Sequence, residues 1–173
     1  MDFYPKYGYK PVQESTFTFE ANKFSSEQNQ LQKLVISDPD TQTKIYDLAK
    51  TRKVLSKQFG VLNGHKLFMY HCLYPFRDCL YYLESENLLV ICKKKGDELH
   101  IYDLIWQDNI DFKRIVRKIT DERIRRILLH FTPDLLNVDT ISELSTDNSS
   151  LFVRNISPKD VPDNILHPVT SEA

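Results

Sequence analysis

Residues 79–131 read CLYYLESENLLVICKKKGDELHIYDLIWQDNIDFKRIVRKITDERIRRILLHF, and this stretch decides the fold. Two short runs rich in Tyr, Leu, Val and Ile, residues 80–83 and 88–91, flank a polar turn and predict a β-hairpin. After a second turn at Gly96, residues 99–105 alternate apolar and polar side chains, so we predict a third strand with one buried and one wetter face. The three strands should form an antiparallel meander.

The second half of the stretch changes to a helical period. Apolar side chains at positions 112, 115, 116 and 119 form one stripe, and Lys and Arg side chains occupy the opposite, solvated face. This pattern predicts an amphipathic helix lying on the sheet, with Asp108 or Asn109 as its N-cap. Residues 127–131 form the next apolar strand, which the strand–helix–strand order makes parallel to the strand at 99–105.

The flanking segments supply the remaining elements. Before the stretch, we predict a strand at the end of the N-terminal segment 1–20, a polar linker at 21–32, a strand at 34–36, a helix from Pro39 capped by Asp38, and a largely buried helix at 67–74. After it, we predict strands at 140–144 and 151–154 that pair as a final hairpin around the turn 145–150, followed by a Pro-bearing tail at 155–173. The predicted fold class is therefore α+β, and the linker marks the boundary between the N-terminal segment and the domain that follows it.

Composition limits the kinds of partner. The chain of 173 residues is long enough for one compact domain, and its formal charge of −1 gives no overall attraction to nucleic acid or to an anionic membrane. No apolar run approaches the ~20 residues that a membrane helix requires. We therefore expect a cytoplasmic protein without nucleic-acid or membrane partners.

The cysteines and histidines lack metal-ligand spacing. Cys72, Cys79 and Cys92 are odd in number and form no CxxC pair, which predicts buried free thiols and neither a disulfide framework nor a zinc site. His100 and His130 fall on neighbouring predicted strands, where they are candidates to face one another. We expect all five histidines to be core or surface residues, with no metal.

The order of elements in residues 33–155 resembles the GNAT (Gcn5-related N-acetyltransferase) fold, a mostly antiparallel mixed sheet flanked by helices. The segment Tyr4-Pro5-Lys6-Tyr7-Gly8-Tyr9 is similar to the Tyr-x-x-x-Gly-aromatic segment that precedes the closing hairpin of a GNAT lobe. The resemblance implies the C-terminal part of a tandem-GNAT acetyltransferase. Residues 1–20 would be the end of a catalytic lobe, an arm that exposes Phe17 and Phe19 unless a partner covers them, and residues 33–173 a degenerate second lobe.

The resemblance also implies where a cofactor would bind. A GNAT lobe holds the pyrophosphate of acetyl-CoA on backbone N–H groups of an Arg/Gln-x-x-Gly-x-Gly/Ala loop before its central helix. The matching loop here, residues 105–111, reads IWQDNID; it has no glycine, and Asp108 and Asp111 place negative charge where the phosphates would sit. We predict that this chain alone binds no acetyl-CoA.

Three acidic or phenolic side chains are candidates for catalysis under the same resemblance. Tyr4 resembles the family tyrosine that can protonate the departing CoA thiolate, a role that requires a complete catalytic lobe. Glu84 and Glu86 are candidates for a general base near a substrate amine. The alternatives are a packing tyrosine and a solvated turn.

Three functions remain open at this point. The first is a non-catalytic C-terminal portion of an acetyl-CoA-dependent N-acetyltransferase, which would pack against an upstream catalytic lobe or a homo-oligomer partner and help to shape the site of a small-molecule or protein amine acceptor. The second is a stand-alone GNAT-like binding or protein-interaction module without acetyl transfer. The third is a true acetyltransferase with an unorthodox cofactor site, which the loop at 105–111 disfavours.

Overall fold

The computed structural model describes residues 3–21, 31–146 and 151–172. It contains nine strands and three helices in these ranges: β1 (Lys10–Val12), β2 (Ser15–Glu20), β3 (Gln32–Lys33), α1 (Pro39–Lys50), α2 (His65–Leu73), β4 (Leu80–Leu83), β5 (Leu88–Lys95), β6 (Glu98–Ile105), α3 (Phe112–Ile119), β7 (Arg126–Leu129), β8 (Ile141–Leu144) and β9 (Leu151–Val153). The fold is α+β, as predicted. Within the described ranges, no helix combines the length and apolar character needed to cross a membrane.

Seven strands form one sheet in the order β3-β4-β5-β6-β7-β2-β8, and β1 pairs with β9 in a separate ribbon. The meander of β4, β5 and β6 is antiparallel, and β6 and β7 are parallel. Both features confirm the sequence prediction, because a right-handed crossover through α3 brings β7 beside β6 in the same direction. The core lies on both faces of the sheet, with α3 packed on one face and α1 and α2 on the other.

The N-terminal segment is part of the central sheet. Strand β2 pairs with β7 on one side and with β8 on the other, both antiparallel. Phe17 and Phe19 are 5% and 4% exposed, and the Phe19 ring lies 5.9 Å from that of Phe112 on α3. The expectation that these two side chains would be exposed is therefore wrong, because β2 buries them in the core over α3. That residues 1–20 are the end of a catalytic lobe stays a prediction, and residues 22–30 of the predicted linker, like Met1 and Asp2, lie outside the described residues.

The predicted final hairpin is also wrong. Strand β8 pairs with β2, and β9 pairs with β1, so β8 and β9 do not pair with one another. The two C-terminal strands instead run along two consecutive N-terminal strands, which offer partners that a local turn signal does not reveal. Residues 147–150 of the predicted turn lie outside the described residues.

A β-bulge breaks the alternation predicted for β6. Ile91 lies opposite Asp103 and Cys92 lies opposite Ile101, which leaves Tyr102 as an extra residue without a partner in the ladder. Leu104 therefore joins the core cluster of Leu99 on the α3 side, although strict alternation predicted opposite faces. Because helices cover both sides of the sheet, β6 also lacks the predicted wetter face.

Helix ends follow the capping rules with one correction. Asp38 caps α1 as predicted, accepting a hydrogen bond from the Thr41 N–H at 2.9 Å. The N-cap of α3 is Asp111, which accepts from the Arg114 N–H at 3.2 Å; the prediction of Asp108 or Asn109 is wrong because the helix begins only at Phe112, the first residue of the apolar stripe. The prediction of a strand at 34–36 is wrong: strand β3 ends at Lys33, and beyond it only the Leu34 N–H continues the pairing, to the Leu80 carbonyl at 2.9 Å.

Replacing Phe19 by Ala tests whether β2 belongs to the folded unit. We expect a loss of about 3–5 kcal/mol in the free energy of unfolding, because the substitution leaves a cavity between the sheet and α3. Urea denaturation followed by circular dichroism measures this loss. Thr16→Ala, an exposed position on the same strand, is the control and should change stability by less than about 1 kcal/mol. A loss below about 1 kcal/mol for Phe19→Ala would contradict the packing described here.

Candidate functional site

The default ligand site of a strand–helix–strand unit is the crevice beyond the carboxyl ends of its parallel strands, beside the N-terminus of the connecting helix. Here the ladder between β6 and β7 ends at Ile101 and Leu129, and the last bond runs from the His130 N–H to the Ile101 carbonyl at 3.0 Å. Beyond that point β6 continues to Ile105. The resulting crevice, between Asp103 and residues 130–132, is called the slot below.

The slot is filled by residues 165–172 of the same chain, called the strap below. The Val169 N–H donates to the His130 carbonyl at 3.4 Å. The Thr132 hydroxyl accepts from the Leu166 N–H at 2.8 Å and donates to the Leu166 carbonyl at 3.1 Å. The sequence analysis predicted only a Pro-bearing tail for this region, so the strap is a feature that it missed.

A buried carboxylate lies at the centre of the slot. Asp103 is completely buried and accepts two guanidinium N–H bonds from Arg52, at 2.6 and 2.9 Å. It also accepts a hydrogen bond from the Thr170 hydroxyl and one from the Leu104 N–H at 2.7 Å. A buried charge is tolerated only when it is paired and hydrogen-bonded. Arg52 and the Leu104 N–H supply these contacts to Asp103, and the strap adds one further donor.

One weak signal for this centre is present in the sequence, a charged residue inside the apolar strand 99–105. The partners of Asp103 are 51 and 67 residues away in the chain, so no local pattern links them.

The loop before α3 is closed by its own side chains. The Asp111 carboxylate accepts from the first turn of the helix, which is where a bound anion would accept. Two further contacts fix the loop on the segment after α1: the Lys53 N–H donates to the Trp106 carbonyl at 3.0 Å, and the Lys53 ammonium donates to Asn109 Oδ1 at 3.3 Å. The arrangement places a carboxylate at the helix N-terminus, where a ligand phosphate would otherwise bind.

A column of stacked rings lies beside the slot. His100 Nδ1 and His130 Nε2 are 3.0 Å apart, and the Tyr102 ring packs against those of His130 and Phe76, each at 4.6 Å between centroids. The two histidines therefore face one another, as the sequence suggested. One of the two facing nitrogens must donate and the other accept, so the pair requires at least one neutral ring.

Burial holds both rings of this pair neutral near pH 7. It is the main cause that lowers the pKa of His130, to about 4, with repulsion from His100 and Lys95 adding to it. Burial also lowers the pKa of His100, whose Nε2 lies 3.3 Å from Glu98 Oε2 without forming a hydrogen bond. Glu98 is itself paired with Arg126.

An open pocket of about 670 Å³ lies at the opposite, N-terminal ends of β6 and β7. Its charged lining consists of five acidic and two basic side chains: Glu20, Asp97, Glu98, Asp121, Glu122, Arg125 and Arg126. A hydrogen bond from Lys94 is the main cause that lowers the pKa of Asp121 to about 2, so this acid stays ionised. The pocket is therefore unfavourable for the phosphate groups of a nucleotide cofactor.

The candidate general bases near the β4–β5 turn are not both free. Glu86 is mostly buried and accepts from the Lys118 ammonium at 2.6 Å, with the Arg114 guanidinium at 3.3 Å, while Glu84 accepts from Gln32. The expectation of a solvated turn is wrong for Glu86, and that of a solvated basic helix face is wrong for Lys118, which is 4% exposed. The Glu86 carboxylate is therefore already engaged by two cations of α3.

Tyr4 lies away from these features. It sits in the 3₁₀ turn Tyr4–Tyr7, is 43% exposed, and stacks on Phe152 of β9 at 4.8 Å. Among the described residues, no hydrogen bond, ion pair or ring contact joins Tyr4 to the slot, to Glu84 or to Glu86. A catalytic role for Tyr4 stays a prediction.

The cysteines are buried free thiols, as predicted. Burial raises the pKa of the Cys92 thiol to about 12, so it is unreactive at neutral pH. Within the described ranges, no three His, Cys, Asp or Glu side chains are placed to hold a metal ion.

Comparison with known proteins identifies the fold only. No protein-family model and no curated protein matches the sequence. Among solved structures, a conserved protein of unknown function from Enterococcus faecalis, described as a probable N-acyltransferase, matches with a TM-score of 0.51 and 13% sequence identity. The fold is GNAT-like. The match covers 82% of this chain and 40% of that protein, so this GNAT-like chain spans well under half the length of its structural neighbour.

The histidine pair predicts a pH-dependent stability. Because the pKa of His130 is lower in the folded protein than its ordinary value of 6.5, the unfolded chain takes up the proton first as the pH falls. The contribution of neutral His130 to the free energy of unfolding is therefore fully present above about pH 6.5 and is lost as the pH falls toward 4. We expect wild type to lose about 2 kcal/mol more than His130→Gln between pH 7 and pH 4.5, because Gln keeps a polar group there but does not titrate.

Urea denaturation across this pH range measures the difference. Subtracting the variant from wild type removes the contribution of other titrating groups, such as Glu14. His65→Gln, at the start of α2 and outside the column, is the matched control and should follow the wild-type curve. Parallel pH curves for wild type and His130→Gln would show that the pair does not titrate as described.

Proposed function

We propose that this chain is a non-catalytic GNAT-like lobe, the C-terminal portion of an acetyl-CoA-dependent N-acyltransferase. Its role would be to pack against a catalytic lobe and to help shape the site of a small-molecule or protein amine acceptor. The observation that carries the proposal is the strap, because the chain's own residues 165–172 occupy the crevice where a ligand of this kind of sheet would lie.

Electrostatics supports the same conclusion. CoA carries several phosphate charges, which need N–H donors or cations. The N-terminus of α3 instead binds the Asp111 carboxylate, with Asp108 three residues before it, and the open pocket at the N-terminal ends of β6 and β7 is acidic. Each of these features opposes an anionic cofactor.

The free-energy cost of displacing the strap from the slot also supports the proposal that this chain binds no cofactor there. Ile165 and Thr170 are completely buried, and release of the strap would expose the first and remove a hydroxyl donor from buried Asp103. Burial of one aliphatic side chain contributes about 1.5–3 kcal/mol, and loss of a hydrogen bond to a charged group costs about 1.5–3 kcal/mol. A cofactor would have to overcome both terms before it gained any affinity.

The lengths of the two proteins also fit a portion of a larger enzyme, because the structural neighbour is more than twice as long as the region that this chain matches. Acyl transfer, acetyl-CoA and the acceptor amine would then belong to the assembled protein. The partner would be an upstream catalytic lobe or a second subunit.

Calorimetric titration of acetyl-CoA into the purified chain tests the proposal. We expect no heat of binding at millimolar ligand, because the slot is filled and the helix N-terminus is capped. Saturable binding tighter than about 100 μM, or about 5.5 kcal/mol of binding free energy, would contradict the proposal and make the chain an enzyme candidate in its own right.

The double variant Asp108→Gly/Asp111→Gly separates the two obstacles. It removes both acids from the loop but leaves the strap in place, so we expect that it also binds no acetyl-CoA. Affinity gained by this variant would mean that the loop alone prevents binding and that the strap does not close the slot.

A second candidate, a protein-interaction module without acyl transfer, is favoured by the outer face of α2. Tyr70, Leu73 and Tyr74 are 54%, 37% and 64% exposed and lie at helical spacing on one stripe, although the opposite face of the helix is buried in the core. A helix that is apolar on both sides usually has a partner on each.

Acyl-transfer assays on the natural protein that contains this chain separate the candidates. Tyr70→Ser/Tyr74→Ser should lower turnover if the stripe packs on a catalytic lobe, whereas absence of any transfer favours the module.

A further inference from the structure

We propose that the slot is a recognition groove for an extended peptide, and that the strap of a second copy of this chain can occupy it, so that two copies exchange straps and form a dimer. The exchange does not depend on the chain's place beside a catalytic lobe. It follows from how the strap is held, how it is tethered and what the slot requires.

The strap is held as a bound peptide is held, largely through its main chain. The Ser15 N–H donates to the Ile165 carbonyl at 2.8 Å, and the His167 N–H donates to Glu14 Oε1 at 2.7 Å. At the other end, His71 Nε2 lies 2.8 Å from the Glu172 carbonyl. These bonds, with those to His130 and Thr132, come from three separate parts of the chain and define an extended-peptide site.

Three side chains of the strap serve as anchors. Ile165 and Thr170 are completely buried, and Pro168 is buried between them. Thr170 is the polar anchor, because its hydroxyl is recognised by the Asp103 carboxylate. The pattern that the slot recognises is therefore aliphatic-x-x-Pro-x-Thr.

The tether that carries the strap, residues 155–164, is mostly exposed and is bent at both ends. Most of residues 155–164 are exposed, and Asn155 and Asn164 adopt left-handed backbone conformations with φ of 63° and 55°. Such conformations are less favourable than extended ones for residues other than glycine, and extension of the tether would release them. Ten extended residues span about 33 Å, enough to reach a neighbouring copy.

The slot itself argues for a second copy as the alternative occupant. Glu14 and Asp103 are buried carboxylates that each accept one hydrogen bond from the strap, so an empty slot would remove one donor from each. A strap of identical sequence restores every one of these contacts. Strap exchange therefore conserves the bonding that release alone would lose, and identical elements exchange between protomers at low cost for this reason.

A disulfide trap reports which copy supplies the strap. A Cβ atom at Gly64 would lie 3.9 Å from Ser171 Oγ, so cysteines introduced as Gly64→Cys and Ser171→Cys would be close neighbours. The three natural thiols are buried and should not compete. The variant is concentrated to about 1 mM in mild urea to allow exchange, returned to buffer and oxidised, and its mass is read on a non-reducing gel.

We expect a disulfide-linked dimer, together with dimers of the wild-type protein in light scattering after the same treatment. Two results would overturn strap exchange. One is a monomer with an intramolecular disulfide at every concentration, and the other is a wild-type dimer whose trapped form carries only intramolecular disulfides, which would place the interface elsewhere. Ser171→Cys alone is the control for adventitious cross-linking.

A second measurement does not rely on the substituted Gly64. Tagged and untagged copies of otherwise natural sequence are mixed, and the rate at which mixed dimers appear is followed by affinity capture. Because strap release limits this rate, Thr170→Val should accelerate mixing by about tenfold, whereas Ser157→Ala in the exposed tether should leave it unchanged. Absence of mixed dimers, or equal rates for all three proteins, would refute the proposal.

Discussion

The pairing of the Asp103 carboxylate is the interaction that holds the strap in the slot. An ionised carboxylate in the middle of a strand covered on both faces is unfavourable unless several donors surround it. Arg52, just beyond α1, supplies two of them, and Thr170 of the strap supplies another. One buried charge thus holds the segment after α1 and the C-terminal strap to the central strand of the sheet, and it does so at the crevice where the sheet would otherwise be open.

The bulge at Tyr102 explains why this charge lies where it does. An extra residue in β6 changes which side chains face each helix layer, so that Leu104 packs toward α3 while Tyr102 and Ile105 pack toward α1 and α2. Tyr102 then stacks between Phe76 and His130, which makes the histidine pair part of the same layer as the strap. The bulge, the ring column and the strap therefore lie beside one another along β6.

A GNAT-like fold and an acyltransferase site are separable properties here. The sheet, the crossover helix and the helix N-terminus are all present, yet the positions that would receive a ligand are satisfied by the chain itself: Asp111 caps the helix, and the strap fills the slot. Function resides in such sites and not in the fold that carries them.

The sequence by itself determined the elements whose signals are local. The meander of β4, β5 and β6, the stripe of α3, the cap at Asp38 and the parallel direction of β7 all follow from side-chain periodicity, turn residues and the handedness of the crossover. The glycine-free loop before α3 was also evident, although not that Asp111 is its cap.

The tertiary structure alone decided the position of β2 inside the sheet, the pairing of β8 and β9 with the N-terminal strands, and the Asp103 centre with its strap. These features join residues about 50 to 150 positions apart, and each depends on which distant surface offers unpaired backbone groups or a compensating charge. These choices cannot be read from the local sequence. The composition of the C-terminal segment is that of an ordinary tail, and only the folded chain brings it to the buried Asp103 carboxylate.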